Sequence, residues 1–123
     1  MLSRLIILLL LITCYFAKGQ EKTLYLDSCE NYVNENAYAI RRVVINHPDK
    51  KFTYIFTDYY KNGTKVTSGI AKSRNGKTKD GDFTFFHDNG QQLASGQLAK
   101  DIKNGTWKYF DNTGAEIKKD ELI

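Results

Sequence analysis

The residues able to do chemistry are few, and their spacing works against it. His47 stands beside Pro48 and His87 beside Asp88, and neither has a second histidine or a cysteine at ligand spacing, so no metal is expected. Asp80 and Asp82 flank Gly81, where carboxylates serve a turn more readily than paired acid–base work. Ser68 and Ser95 fall at equivalent positions of a repeat, which marks them as structural rather than nucleophilic. No nucleophile elbow, phosphate loop or zinc-binding His-Glu-x-x-His occurs, so no catalytic residue and no cofactor is expected. What remains is binding chemistry. Lys72, Arg74, Lys77 and Lys79 could grip an anionic head group or polymer, although Asp80 and Asp82 dilute them and solvation is the plainer reading. Phe85 and Tyr109 could form a docking strip for a protein or glycan; the alternative is that they close a second face of the core.

These residues are positioned by a repeat. Shifting the chain by 24 residues lays Gly81-Asp82-Phe83-Thr84-Phe85-Phe86 on Gly105-Thr106-Trp107-Lys108-Tyr109-Phe110. Shifting it back by 27 lays Phe83, Phe86, Asn89, Gly90, Ser95 and Gly96 on Phe56, Tyr59, Asn62, Gly63, Ser68 and Gly69. A fixed period of this size means stacked units, none of which can bury a face alone. Three units follow, at about 54–80, 81–104 and 105–123. Their columns predict the core: Phe56, Phe83 and Trp107; Tyr59, Phe86 and Phe110; Val66, Leu93 and Ile117; Ala71, Leu98 and Leu122. Thr57, Thr84 and Lys108 alternate with them and belong to a solvent face. Gly69 and Gly96 sit mid-strand, where a missing side chain lets a ring or another backbone approach.

Residues 20–53 read as a two-strand lead-in, with strands near Thr23–Asp27 and Ala37–Ile45. The turn cluster around Pro48 then reverses the chain into a strand over 52–60, which pairs with 37–45. Asn62-Gly63, Asn89-Gly90 and Asn104-Gly105 match the type I′ hairpin signal, and Thr113-Gly114 suggests a longer turn. The stretch 72–79 holds extra residues and reads as a long, mobile hairpin tip. The fold class is therefore all-β: a single-layer antiparallel sheet of β-hairpin repeats.

The motifs Phe83-x-x-Phe86-x-x-Asn89-Gly90-x-x-Leu93-x-Ser95-Gly96 and Lys103-Asn104-Gly105-x-Trp107-x-x-Phe110 resemble the MORN-variant repeat of YwqK-type antitoxin components and of many exported bacterial proteins. The resemblance covers about residues 54–122. The first unit departs from it, with Tyr54 in place of the opening glycine, and the third carries Asp120 in place of the second. It implies a β-hairpin repeat sheet with a binding or scaffold role, and no chemistry.

Residues 1–19 follow the order of a secretory signal: basic Arg4, an aliphatic run from Leu5, and Ala17-Lys18-Gly19 as a cleavage site before Gln20. The run falls short of the roughly 20 residues a membrane span requires. The minority alternatives are an uncleaved membrane anchor and a lipoprotein box ending at Cys14, with Thr13 poorly suited to precede the lipidated cysteine. Export to the periplasm, the outer surface or the medium is expected. Removing the segment lowers the formal charge from +4 to +2, which leaves no nucleic-acid footprint. It also leaves Cys29 alone, and a buried thiol is the favoured reading. The sequence thus predicts an exported, non-catalytic module that binds another protein or a cell-surface polymer; the alternative is an antitoxin or immunity-like protein that neutralises a partner toxin.

Overall fold

The computed structural model describes residues 21–122, so residues 1–19, expected to be a secretory signal, and Cys14 within them lie outside the described residues. Eight strands follow one another: β1 (Glu21–Leu26), β2 (Ile40–Asn46), β3 (Tyr54–Tyr59), β4 (Lys65–Ala71), β5 (Lys79–Phe86), β6 (Gln92–Ala99), β7 (Ile102–Phe110) and β8 (Glu116–Leu122). Each pairs antiparallel with the next, giving one open sheet in the order β1 to β8. The lead-in is β1 and β2, and each repeat unit contributes one hairpin. The expected pairing across Pro48 holds, from Arg41↔Tyr59 to Asn46↔Tyr54.

The turns correct the type I′ expectation. In each repeat hairpin a residue pairs across a three-residue loop: Tyr60 with Thr64, His87 with Gln91, and Asp111 with Ala115. Only the glycine that closes each loop has positive φ (Gly63 87°, Gly90 88°, Gly114 95°). This is a type I turn followed by a left-handed residue. The third turn is no longer than the others; Thr113 takes the asparagine's place, and Asp111 Oδ1 accepts from Thr113 N at 2.9 Å. Asn104-Gly105 makes no turn and lies inside β7. The two-residue turn is Lys100-Asp101 instead, both at positive φ (49° and 70°) between paired Ala99 and Ile102. Gly81 (φ 126°) and Gly105 (φ 69°) fall where the β4–β5 and β6–β7 registers slip. The first unit, with Tyr54 at that position, pairs with β2 without a slip.

Alternation sorts the side chains onto two faces. On the closed face Leu24, Leu26, Val44, Phe56, Ala71, Phe83, Ala94, Leu98 and Trp107 form the core. A one-layer sheet has no second layer to cover its rings, so they lie down on it. A Cβ added to Gly69 would stand 2.6 Å from the Phe83 ring, and one added to Gly96 would stand 2.4 Å from the Trp107 ring. Each ring therefore occupies the side-chain space of its cross-strand glycine. Trp107 Nε1 donates to Gln97 O at 2.9 Å and fixes the indole in place. Phe85 continues the row, 4.8 Å from Phe83 and 6.3 Å from Trp107 between ring centroids.

Two of the four predicted core columns need correction. Val66, Leu93 and Ile117 are not core, and Leu93 and Ile117 are exposed. Each is the extra, unpaired residue of a β-bulge that follows its turn, so its side chain leaves the packed row. Tyr59, Phe86 and Phe110 are half-buried and lie across the sheet from the core. In the remaining column Ala71 and Leu98 are buried, and Leu122 is exposed on the edge strand β8.

The ring-on-glycine contact predicts which glycine substitution couples to its ring. Gly96→Ala should cost about 1–3 kcal/mol as an overpacking defect. Gly63→Ala, with open space but positive φ, should cost about 1–2 kcal/mol. Adding Trp107→Leu to Gly96→Ala should give less than the sum of the two single losses, whereas Gly63→Ala and Trp107→Leu should be additive. Urea denaturation of the single and double variants measures all of these terms.

Candidate functional site

The most heavily engaged side chain on the closed face is charged. Arg42 is 1 % exposed and faces inward from β2 between Leu24 and Asp58. Its Nε and Nη2 donate to the Asp58 carboxylate at 2.7 and 2.8 Å, and Nη2 also reaches Glu30 Oε1 at 2.5 Å. Nη1 donates to Asn75 O at 3.3 Å, and the guanidinium lies 4.7 Å over the Phe56 ring. Lys79 Nζ joins Glu30 at 2.8 Å. Burying such a cation costs several kcal/mol, and only a full set of partners offsets that. That set exists, since among the described residues no buried side-chain nitrogen or oxygen lacks a hydrogen-bond partner.

Two loops meet over this centre. Loop 27–39 is shaped by Asp27, whose Oδ1 accepts from Cys29 N (2.8 Å) and Asn31 N (3.0 Å), and it presents Glu30 at φ 64°. Loop 72–78 closes with Lys72 N donating to Thr78 O at 2.8 Å, and Gly76 rests against Arg42 and Phe56. It is therefore no free tip, because it folds back onto the sheet. Lys77 Nζ sits 4.1 Å over the Tyr32 ring and joins the two loops. Cys29 is exposed rather than buried, since the Asp27 turn holds its backbone at the rim of loop 27–39.

The structure disperses the residues read as a basic patch. Lys72 Nζ donates to Thr53 Oγ1 (3.0 Å) and Arg74 Nε to Tyr54 OH (3.3 Å), while Lys77 and Lys79 serve Tyr32 and Glu30. Phe85 and Tyr109 do not form a strip on the open face. They extend the closed-face row, half-buried, with Lys103 Nζ donating to Tyr109 OH at 2.9 Å. His47 Nδ1 accepts from Asp49 N and Lys50 N (3.1 and 3.2 Å), and His87 Nε2 meets Phe110 O at 2.8 Å, so both rings serve local structure. Among the described residues no three His, Cys, Asp or Glu side chains gather as metal ligands.

Two surfaces have no described residues packed over them. The open face carries three rows. One is an isoleucine ladder, Ile45↔Ile55↔Ile70. The next is a polar row, Thr57↔Ser68↔Thr84↔Ser95↔Lys108, which holds the two serines. The third is Tyr59, Phe86 and Phe110, with Arg41 4.7 Å over the Tyr59 ring. The other surface is a cleft of about 850 Å³ where β2 turns into β3, floored by Val44 and Tyr54 and rimmed by Phe52 and Arg74. Compared with protein-family models, curated proteins and solved structures, the chain matches none.

Arg42 and Asp58 were the residues that sequence reasoning missed. The available signal was parity: Asp58 sits two positions from Phe56 in one strand and so shares its inward face.

The centre predicts two outcomes. Asp58→Ala strands a buried guanidinium and should cost about 3–5 kcal/mol, while Arg42→Met with Asp58→Leu should recover most of that in a urea titration. Burial alone would raise the Glu30 pKa, but hydrogen bonds from Lys79 and Arg42 outweigh it and hold the carboxyl below its ordinary value. A lowered folded pKa stabilises above the unfolded value and is lost as pH falls through the folded one. Stability should therefore drop on acidification below the ordinary glutamate range, and Glu30→Gln should flatten part of that slope. Asp111, lowered chiefly by its Thr113 hydrogen bond, should supply another part.

Proposed function

We propose that the chain is an exported, non-catalytic β-repeat module that binds another protein or a cell-surface polymer. The observation that carries this reading is the division of labour between the two faces. On the closed face the charged centre is fully committed to the fold. The open face leaves Ile45 41 % exposed at the end of an isoleucine ladder, beside a polar row and an aromatic row, with no second layer of described residues upon it. Apolar rows interleaved with polar ones suit a docking surface, where rings and aliphatic side chains supply burial and the rim supplies direction. The resemblance of residues 54–122 to MORN-variant repeats and the secretory order of residues 1–19 support the same reading.

Expression of the full chain in a bacterial host with a secretory pathway, followed by intact-mass analysis, should give a product beginning at Gln20 in the envelope or medium. That product should bind one stoichiometric partner, and Ile55→Lys should abolish the complex while leaving the urea midpoint nearly unchanged. A chain that keeps Met1, stays in the cytoplasm and holds a toxin would replace this reading with the antitoxin one. Chemical turnover of a small molecule by the purified product, without any partner, would favour an enzyme.

A further inference from the structure

The hairpin that joins β2 to β3 holds a feature the fold does not need. Phe52 has φ 54° and is 81 % exposed. A bulky residue in the left-handed region is strained, and an exposed ring contributes no burial in return. Neighbouring contacts impose the conformation. His47 N donates to Thr53 O at 2.8 Å, and the His47 ring accepts from Asp49 N and Lys50 N. Thr53 is buried, with its hydroxyl donating to Lys51 O (3.1 Å) and accepting from Lys72 Nζ (3.0 Å). The hairpin is thus built to hold a phenyl ring in water at the mouth of the cleft.

The cleft's chemistry selects what that ring meets. Lys22, Lys50, Lys51 and Arg74 line it against a single carboxylate, Asp49, so its field is positive. Arg74 is anchored by Tyr54 OH at 3.3 Å, which leaves its other guanidinium donors free to point at an anion. Val44 and Tyr54 on the floor belong to strands paired on both sides, so no unpaired strand edge there offers backbone to an extended peptide. Recognition must come from side chains: two aromatic rings, which pack against the C–H faces of sugar rings, and cations set around them. The volume of about 850 Å³ is within the range of small-ligand sites, about 300–1,000 Å³.

We propose that this cleft binds a uronic-acid saccharide, with a sugar ring against Phe52 and Tyr54 and its carboxylates on Arg74 and the lysines. The proposal rests on the reading of the chain as a non-catalytic binding module and names one of its ligands; it does not involve the open face.

The test is titration of the protein with a uronic-acid oligosaccharide, an oligogalacturonate, by calorimetry at two salt concentrations. A neutral hexose oligomer and an oligoglutamate of matched charge serve as comparators. The oligogalacturonate should bind, more weakly at high salt, and at least about tenfold more tightly than either comparator. Phe52→Gly removes the ring and relieves the strained φ. It should weaken binding about tenfold while the urea midpoint stays level or rises. Arg74→Gln should weaken binding with the fold intact, and Ile55→Lys should leave it unchanged. Equal binding of oligoglutamate would overturn the saccharide in favour of an acidic peptide. Undiminished binding by Phe52→Gly, or no binding at all, would overturn the site. Either failure would leave capture of a partner through Ile55 standing, so the two readings fall separately.

Discussion

A ring lying flat on a glycine of the neighbouring strand is the contact on which this sheet depends. A single layer has no opposing layer for its aromatic side chains to enter, so standing rings would stay wet on one side. Laid over Gly69 and Gly96, Phe83 and Trp107 instead bury themselves against backbone, to 3 % and 0 % exposure. The rest of the row follows, with Phe56 5.6 Å from Phe83 and Phe85 bridging toward Trp107. The repeat period of the sequence is the spacing of this contact.

The first unit solves the same problem by other means. Phe56 has no free glycine to lie on, since β2 places Val44 opposite it and Gly69, its partner on β4, already lies under the Phe83 ring. Its ring is covered from above by the Arg42 guanidinium, the Lys79 ammonium and Gly76. Arg42 in turn draws in Glu30 and Asn75, and with them loops 27–39 and 72–78. The lead-in strands and the long connection therefore form a cap for the N-terminal end of the aromatic row. This machinery closes one face, while Ile45 on the opposite face and Phe52 on its hairpin stay exposed.

Much of this was legible in the residues, and the limits of legibility are physical. Phe56, Phe83 and Trp107 as one column, and Gly69 and Gly96 as sites of close approach, follow from the period because repeated contacts leave repeated residues. Val66, Leu93 and Ile117 repeat just as faithfully, yet they are bulge residues: periodicity reports equivalence between units and is silent on which way a side chain points. The Asn-Gly pairs predict two-residue turns, but the same dipeptide also closes a three-residue loop or, at Gly105, lies within a strand. Only the pairing register decides between these. The basic stretch 72–79 was read by charge, whereas its partners Glu30, Tyr32, Thr53 and Tyr54 lie far away in sequence. The cleft is illegible in the sequence for a related reason, since Lys22, Phe52 and Arg74 converge only once three hairpins are in register.

The most direct test of the central contact is the proton chemical shift of the glycine Hα atoms in solution. A proton held against the face of an aromatic ring is shifted strongly upfield. Such shifts are expected for Gly69 and Gly96, abolished at Gly96 alone by Trp107→Leu and at Gly69 alone by Phe83→Leu, with Gly63 and Gly90 unshifted in every variant. Ordinary shifts at Gly69 and Gly96 would mean that the rings do not lie on the sheet, and the closed face would then need a different explanation.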